Sequence, residues 1–244
     1  MPTTAVLHSE WLKIRTMRSL AAALIAVFAA TAGITILVNA LTGADAAGRT
    51  GDDPLFAAFF GLIFGQIAAN AFGTPAVSSE YANGALRISL AAVPDRTRFH
   101  AAEAAVVGAL TLLVGVATGF VTFLGGQAFL GERALGLGDP GAVRACVGSG
   151  TYLALMALFA AGLTAVLRSG TAVLSVLVPF VLIVSFVVGD VAAGVAEYLP
   201  DQAGQLVVRQ DSGGIGPWTG LVVTAAWAAA ALPAGWSAVR RRDA

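Results

Sequence analysis

Charge is what this sequence has least of. Of its 244 residues only 11% are Asp, Glu, Lys or Arg, where soluble domains carry about 25%. Too little charge remains to coat a water-facing surface. The 14 basic and 14 acidic residues cancel to a net charge of +0, which argues against a nucleic-acid partner, since that needs a basic face. Cysteine is confined to Cys146, so neither an intrachain disulfide nor a cysteine-based metal site can form. The two histidines, His8 and His100, lie far apart without a second ligand at helical spacing, and no metal site is expected. Lys13 is the chain's sole lysine and no glycine precedes it, which rules out a Walker phosphate loop. Neither G-x-S-x-G nor H-E-x-x-H occurs. With no catalytic constellation in sight, the chain is not expected to be an enzyme or to hold a cofactor of its own.

What fills the space is apolar: 57% of residues are hydrophobic and mean hydropathy is +0.82. A bilayer core of roughly 30 Å takes about 20 apolar residues in a helix. Runs free of charge fall approximately at Ala21–Leu41, Leu55–Val77, Ala104–Leu124, Ala145–Leu167, Ala172–Val188 and Trp218–Val239. The expected fold is therefore all-α, a single polytopic membrane domain over residues 1–244 with six transmembrane helices. Ala21–Leu41 is longer than the apolar region of a cleaved signal peptide and reads as a retained first helix. Pro179 and Pro233 fall inside the fifth and sixth runs, which membrane helices tolerate where neighbours satisfy the freed carbonyl.

Orientation follows from the basic residues. A cytoplasmic N-terminus puts Lys13, Arg15, Arg18, Arg87, Arg96, Arg98, Arg168 and Arg240 to Arg242 inside, against Arg49, Arg133, Arg144 and Arg209 outside. That asymmetry obeys the positive-inside rule and makes both termini cytoplasmic.

No expected span core contains Asp, Glu, Lys, Arg or His, which weighs against a proton-coupled carrier. Neutral polar residues instead recur four apart, as Thr31, Thr35 and Asn39 in the first span and Gln66, Asn70 and Thr74 in the second. Such residues share one helix face. Either they pack helices together through hydrogen bonds or they line a substrate path. Beside the second stripe run Gly61, Gly65, Ala69 and Gly73, small enough for close helix approach. Gly136, Gly138 and Gly141 match G-x-G-x-x-G, but Asp139-Pro140 between them marks a turn rather than a nucleotide site.

Three flanking segments are informative. In "LHSEWLKIRTMRSL", Leu7, Trp11 and Ile14 can share one helical side and leave Lys13, Arg15 and Arg18 for lipid headgroups, as in an interfacial helix. "VAAGVAEYLP" suits a short helix ending near Pro200. In "SSEYANGALRISLAAVPDRTRFHAAE", Ser78 or Ser79 is placed to cap a helix that Pro94-Asp95 ends. Its partly apolar side suits either headgroups or a groove on another protein.

The last of these segments, with "LHSEWLKIRTMRS" before it and "YLPDQAGQLVV…GPWTGL" after it, resembles ABC transporter permeases of the export class, of the actinobacterial type. It is similar to their "S-E-Y-x-x-G-T-[IL]-R-x-[ST]-L…P-x-R" pattern, departing at Ala85, where Thr is frequent, and at Glu103, where Lys is frequent. The resemblance implies a six-span permease subunit without its own nucleotide site, forming half of a translocation path in a bacterial plasma membrane. It also implies a second permease copy or close paralogue, and a separate ATP-binding subunit that carries the ATP and magnesium. The 78–98 segment would then be a coupling helix docking on that subunit through Glu80, Tyr81, Gly84, Leu86 and Arg87. Thr31, Thr35, Asn39, Gln66, Asn70 and Thr74 are the candidate path lining. The alternative is a membrane scaffold or regulatory protein that transports nothing.

The orientation is checked by accessibility labelling in a Cys146→Ser background. Arg96→Cys should react only from the cytoplasmic side and Arg133→Cys only from outside; labelling of Arg96→Cys from outside would reverse the topology.

Overall fold

The computed structural model describes residues 3–42, 53–81, 85–93, 95–184, 187–188, 193–210 and 214–242. Every regular element among them is helical. Helix α1 (Thr3–Thr16) precedes α2 (Arg18–Thr42), which passes through a π-helical turn at Ala29–Gly33. A short α3 (Pro54–Ala57) leads through a turn into α4 (Leu62–Tyr81). Helix α5 (Ala85–Ala92) is followed by α6 (Arg96–Gln127), α7 (Ala142–Leu167) and α8 (Gly170–Pro179), the last running into a π turn at Phe180–Val184. Two short helices, α9 (Ala193–Ala196) and α10 (Pro200–Gln205), precede the long α11 (Pro217–Arg242).

Among the described residues, four helices are long and apolar enough to cross a membrane: α2, α6, α7 and residues Pro217–Arg240 of α11. They carry the first, third, fourth and sixth of the expected spans. Their outer faces suit lipid, with Leu113 69% and Val222 66% exposed, since apolar side chains facing hydrocarbon need no burial in protein. The two remaining runs fold differently from plain spans. The run at 55–77 is split by the turn after α3, and Gln66 and Asn70 dilute the apolarity of α4. In the run at 172–188 regular α-geometry gives way at Pro179, which lacks an amide hydrogen, to the π turn at Phe180–Val184.

Local sequence explains where helices start and stop. Asp95 caps α6 by accepting the Thr97 and Arg98 N–H groups at 3.1 Å. Asp53 caps α3 at Leu55 and Phe56, and its second oxygen accepts the Gln210 N–H at 2.9 Å. Gly141, at φ +90°, supplies the left-handed residue before α7, and Asp139 accepts the Gly136 N–H at 2.6 Å. The glycine-rich loop is thus a turn, as expected. A helix starting at Ser78 or Ser79 is not what forms. Ser79 donates back to the Ala76 carbonyl and α4 continues to Tyr81, while Pro94 and residues 82–84 lie outside the described residues. Residues 193–196 form the expected short helix, but Pro200 opens α10 rather than closing α9.

Helix α7 is the centre of the bundle: 67% of its most apolar stretch is buried, against 22% to 28% in the other three spans. It packs on α4, α6 and α11. Tyr152, Leu153, Met156 and Ala157 join Phe59, Phe72 and Phe123 in the main core. Close approach depends on glycine. A side chain at Gly73 would overlap the Ala157 carbonyl, and one at Gly150 would overlap the backbone of α6 at Val116. The chain has two distinct ends. At one, Arg96 reaches the Val239 carbonyl and Trp236 donates to Thr97; at the other, the Arg209 guanidinium lies 4.8 Å from the Phe56 ring centroid.

Gly73→Leu should lower unfolding stability by about 1–3 kcal/mol through overpacking, read as the shift in a denaturation midpoint in detergent. No shift would mean that α4 and α7 are not in backbone contact.

Candidate functional site

The expectation that Lys13 faces headgroups is overturned by α1 itself. Its buried residues are Val6, Glu10 and Ile14, one face at spacing four, whereas Trp11 is 42% exposed. Lys13 turns inward with the buried face. Its ammonium lies 2.6 Å from Glu10, 3.0 Å from Glu80 and 3.4 Å from Glu103, all three carboxylates being buried. Glu80 ends α4 and Glu103 lies near the start of α6, so one side chain ties three helices. The second Glu80 oxygen accepts the Ser89 hydroxyl at 2.9 Å, which brings α5 into the group. His100 stands 3.7 Å from Glu103 and its other ring nitrogen is 3.3 Å from the Leu232 carbonyl of α11.

Three carboxylates around one ammonium leave the group electrically unbalanced. Burial, which disfavours the ionised form, raises the Glu10 carboxyl above its ordinary value despite the attraction of Lys13; the Glu103 and Glu80 charges add to the rise. Burial opposes the charge on Lys13, but Glu103, Glu10 and Glu80 outweigh it and push the ammonium above the ordinary lysine range. Lys13 is therefore cationic throughout the physiological range.

The residues implied as coupling contacts occupy this same end. Glu80 is held by Lys13 and Ser89, and Tyr81 lies beneath the Arg168 guanidinium, 5.7 Å from the ring centroid. Leu86 is buried, Arg87 lies on the first turn of α5, and Gly84 is outside the described residues. Neither Glu80 nor Tyr81 is a bare surface group. Among the described residues of the segment, Ala91, Asp95, Thr97 and Arg98 are exposed.

The two polar stripes part company. Thr31 donates to Val27 and Thr35 to Thr31, each to a carbonyl one turn back, and Thr35 also accepts the Gly61 N–H at 2.8 Å. Asn39 donates to the Ala57 and Gly126 carbonyls at 3.3 and 3.2 Å. Thr35 and Asn39 join α2 to its neighbours, whereas Thr31 bonds within α2. In the second stripe, Gln66 Oε1 accepts the Tyr152 hydroxyl, but Gln66 Nε2, both polar atoms of Asn70 and the Thr74 hydroxyl have no partner among the described residues. All three residues are buried. An unsatisfied polar group in an apolar interior is costly, so a run of them on consecutive turns points to something beyond packing.

The stripe leads to a groove. Thr74, Ser78, Thr171 and Ser175 place hydroxyls along a groove of about 630 Å³ between α4 and α8, with Pro75, Leu174, Val178 and Pro179 as apolar walls. The lining contains no charged residue. Among the described residues, no group of His, Cys, Asp or Glu is arranged to hold a metal ion.

The stripes and the 78–98 segment were visible in the sequence; the Lys13 cluster was not, although Glu10 and Lys13 stand at the i, i+3 spacing of a helical ion pair. Compared with protein-family models, curated proteins and solved structures, the chain has no match.

The stripes predict opposite responses to the same change. Asn39→Leu strands the Ala57 and Gly126 contacts and should cost about 1–2 kcal/mol. Asn70→Leu removes an unpartnered amide and should leave stability unchanged or higher. Chemical unfolding of both variants decides the matter, and equal losses would make both stripes structural.

Proposed function

We propose that this chain is the membrane-spanning permease subunit of an ABC exporter, driven by a separate ATP-binding subunit. Two sequence features support the reading: the family-like 78–103 segment, and the absence of a phosphate loop from the chain. The observation that carries it is mechanical. Helix α5 is bonded through Ser89 to Glu80, and through Glu80 and Lys13 to Glu10 and Glu103. A load applied to α5 therefore passes to α1, α4 and α6 together. A transporter needs such a route, because nucleotide hydrolysis outside the membrane must bias two arrangements of helices inside it.

In this scheme α4 and α8 complete six crossings, both termini are cytoplasmic, and the host membrane is a bacterial plasma membrane. The partner binds ATP and magnesium and docks on the exposed side of α5 and the Asp95–Arg98 turn. Glu80 and Tyr81, held by Lys13 and Arg168, position that surface rather than forming it. Gln66, Asn70 and Thr74 line the path, since most of their polar atoms are unspent, while Thr31, Thr35 and Asn39 hold α2 in place. The groove between α4 and α8 opens beside this path and suits cargo with an apolar body and an uncharged polar end. A second permease copy or close paralogue supplies the other half.

Co-purification with the ATP-binding subunit encoded beside it, followed by hydrolysis assays in lipid, tests the proposal. Ala91→Trp on exposed α5 should cut association and coupled hydrolysis at least about tenfold, a loss of about 1.4 kcal/mol, with the chain still folded. Full association with Ala91→Trp would remove α5 from the interface. Failure of any ATP-binding subunit to associate with the native chain would favour the scaffold instead.

A further inference from the structure

The Lys13 cluster has a property that mechanical coupling does not require. Counting Lys13 as +1 and Glu10, Glu80 and Glu103 as −1 each leaves two surplus negative charges among buried side chains. Among the described side chains, the ion pairs reaching these carboxylates are those of Lys13 and His100. Arg98 pairs with Asp95 at 3.7 Å, Arg96 donates to the Val239 carbonyl, and Arg15 and Arg18 are exposed. His8, on the same helix, is exposed as well. The group facing Glu103 from its own helix is His100. Buried carboxylates that cannot find cations take up protons instead.

We propose that Glu10, gathered with Glu80 and Glu103 around Lys13, is a proton-binding site that clamps α1 onto α4, α5 and α6 and loosens when its proton leaves. One proton on Glu10 brings Lys13 and the three carboxylates from −2 to −1. Without it, carboxylates on α1, α4 and α6 repel one another in a poorly solvated space, and α1 is the element whose docking that repulsion opposes. Met17, with an extended backbone at φ −82° and ψ 106°, breaks the helix between α1 and α2. The raised Glu10 carboxyl gives the sign. The docked state holds a proton that the undocked, solvated Glu10 has already released, so docking is strongest at low pH. It weakens as pH rises through the raised Glu10 value. Lys13, raised above the ordinary lysine range, contributes throughout that window and is lost only under strongly alkaline conditions. The proposal does not depend on the transport reading, because it concerns proton binding and helix docking alone.

Hydrogen exchange of residues 3–16 in the full chain, in lipid nanodiscs from about pH 5 to about pH 8 and corrected for intrinsic exchange, tests it. Release of one proton predicts a fall in α1 protection of up to about tenfold per pH unit within the Glu10 window. Glu10→Gln, a neutral mimic of the protonated acid, should keep α1 protected and flatten that part of the profile. Glu103→Gln removes a carboxylate that raises Glu10 and should move the midpoint to lower pH. A flat native profile, a Glu10→Gln profile with the native slope, or an unmoved midpoint in Glu103→Gln would each overturn the proposal.

Discussion

One ammonium group organises the polar end of this molecule. Most of the bundle's interior is apolar, and its helices bury many side chains that lipid would accept equally well, so hydrophobicity alone does little to choose one arrangement of helices over another. Directional contacts must make that choice. Lys13 supplies three of them, to carboxylates on α1, α4 and α6. Because the ammonium and its partners are largely removed from water, separation of any pair leaves a charge uncompensated rather than solvated. The consequence is register: α1 is fixed against the bundle where Glu80 and Glu103 meet, and α5 is fixed by the oxygen of Glu80 that remains.

The same logic separates the two polar stripes. A hydroxyl or amide inside a membrane bundle either bonds to a neighbour or keeps its capacity for a guest. Thr31, Thr35 and Asn39 spend theirs on carbonyls and on the Gly61 amide, joining α2 to α3, α6 and the turn before α4. Gln66, Asn70 and Thr74 keep most of theirs, and Thr74 borders the groove toward α8. A polar interior track and a charged clamp thus lie on the same helix, α4, one along its length and one at its end. That arrangement connects what happens at residues 80–103 with what happens along the track.

Much of this architecture is legible in the sequence, and the parts that are not fail for identifiable reasons. The runs at Ala21–Leu41, Ala104–Leu124, Ala145–Leu167 and Trp218–Val239 read as spans because nothing polar enough interrupts them. The remaining two were harder. Gln66 and Asn70 lower the apolarity of α4 while serving its interior, and Pro179 ends regular helix in α8. The face of α1 was misassigned because Trp11 and Ile14 lie three apart and a sequence cannot say which is inward. The neighbour that decides it, Glu80, is 67 residues away, and Glu103 is 90. No local pattern encodes those distances. The stripes were evident from their spacing, but which of them has spare hydrogen-bonding capacity depends on carbonyls contributed by Ala57 and Gly126, far along the chain.

The central claim is that Lys13 and Glu103 interact directly and thereby set how α1 and α6 meet. A charge-swap cycle measures this most directly, with unfolding stability read for Lys13→Glu, Glu103→Lys and the pair combined. The account predicts that each single change is strongly destabilising and that the combination recovers about 1 kcal/mol or more of the summed loss. Losses that simply add would contradict it.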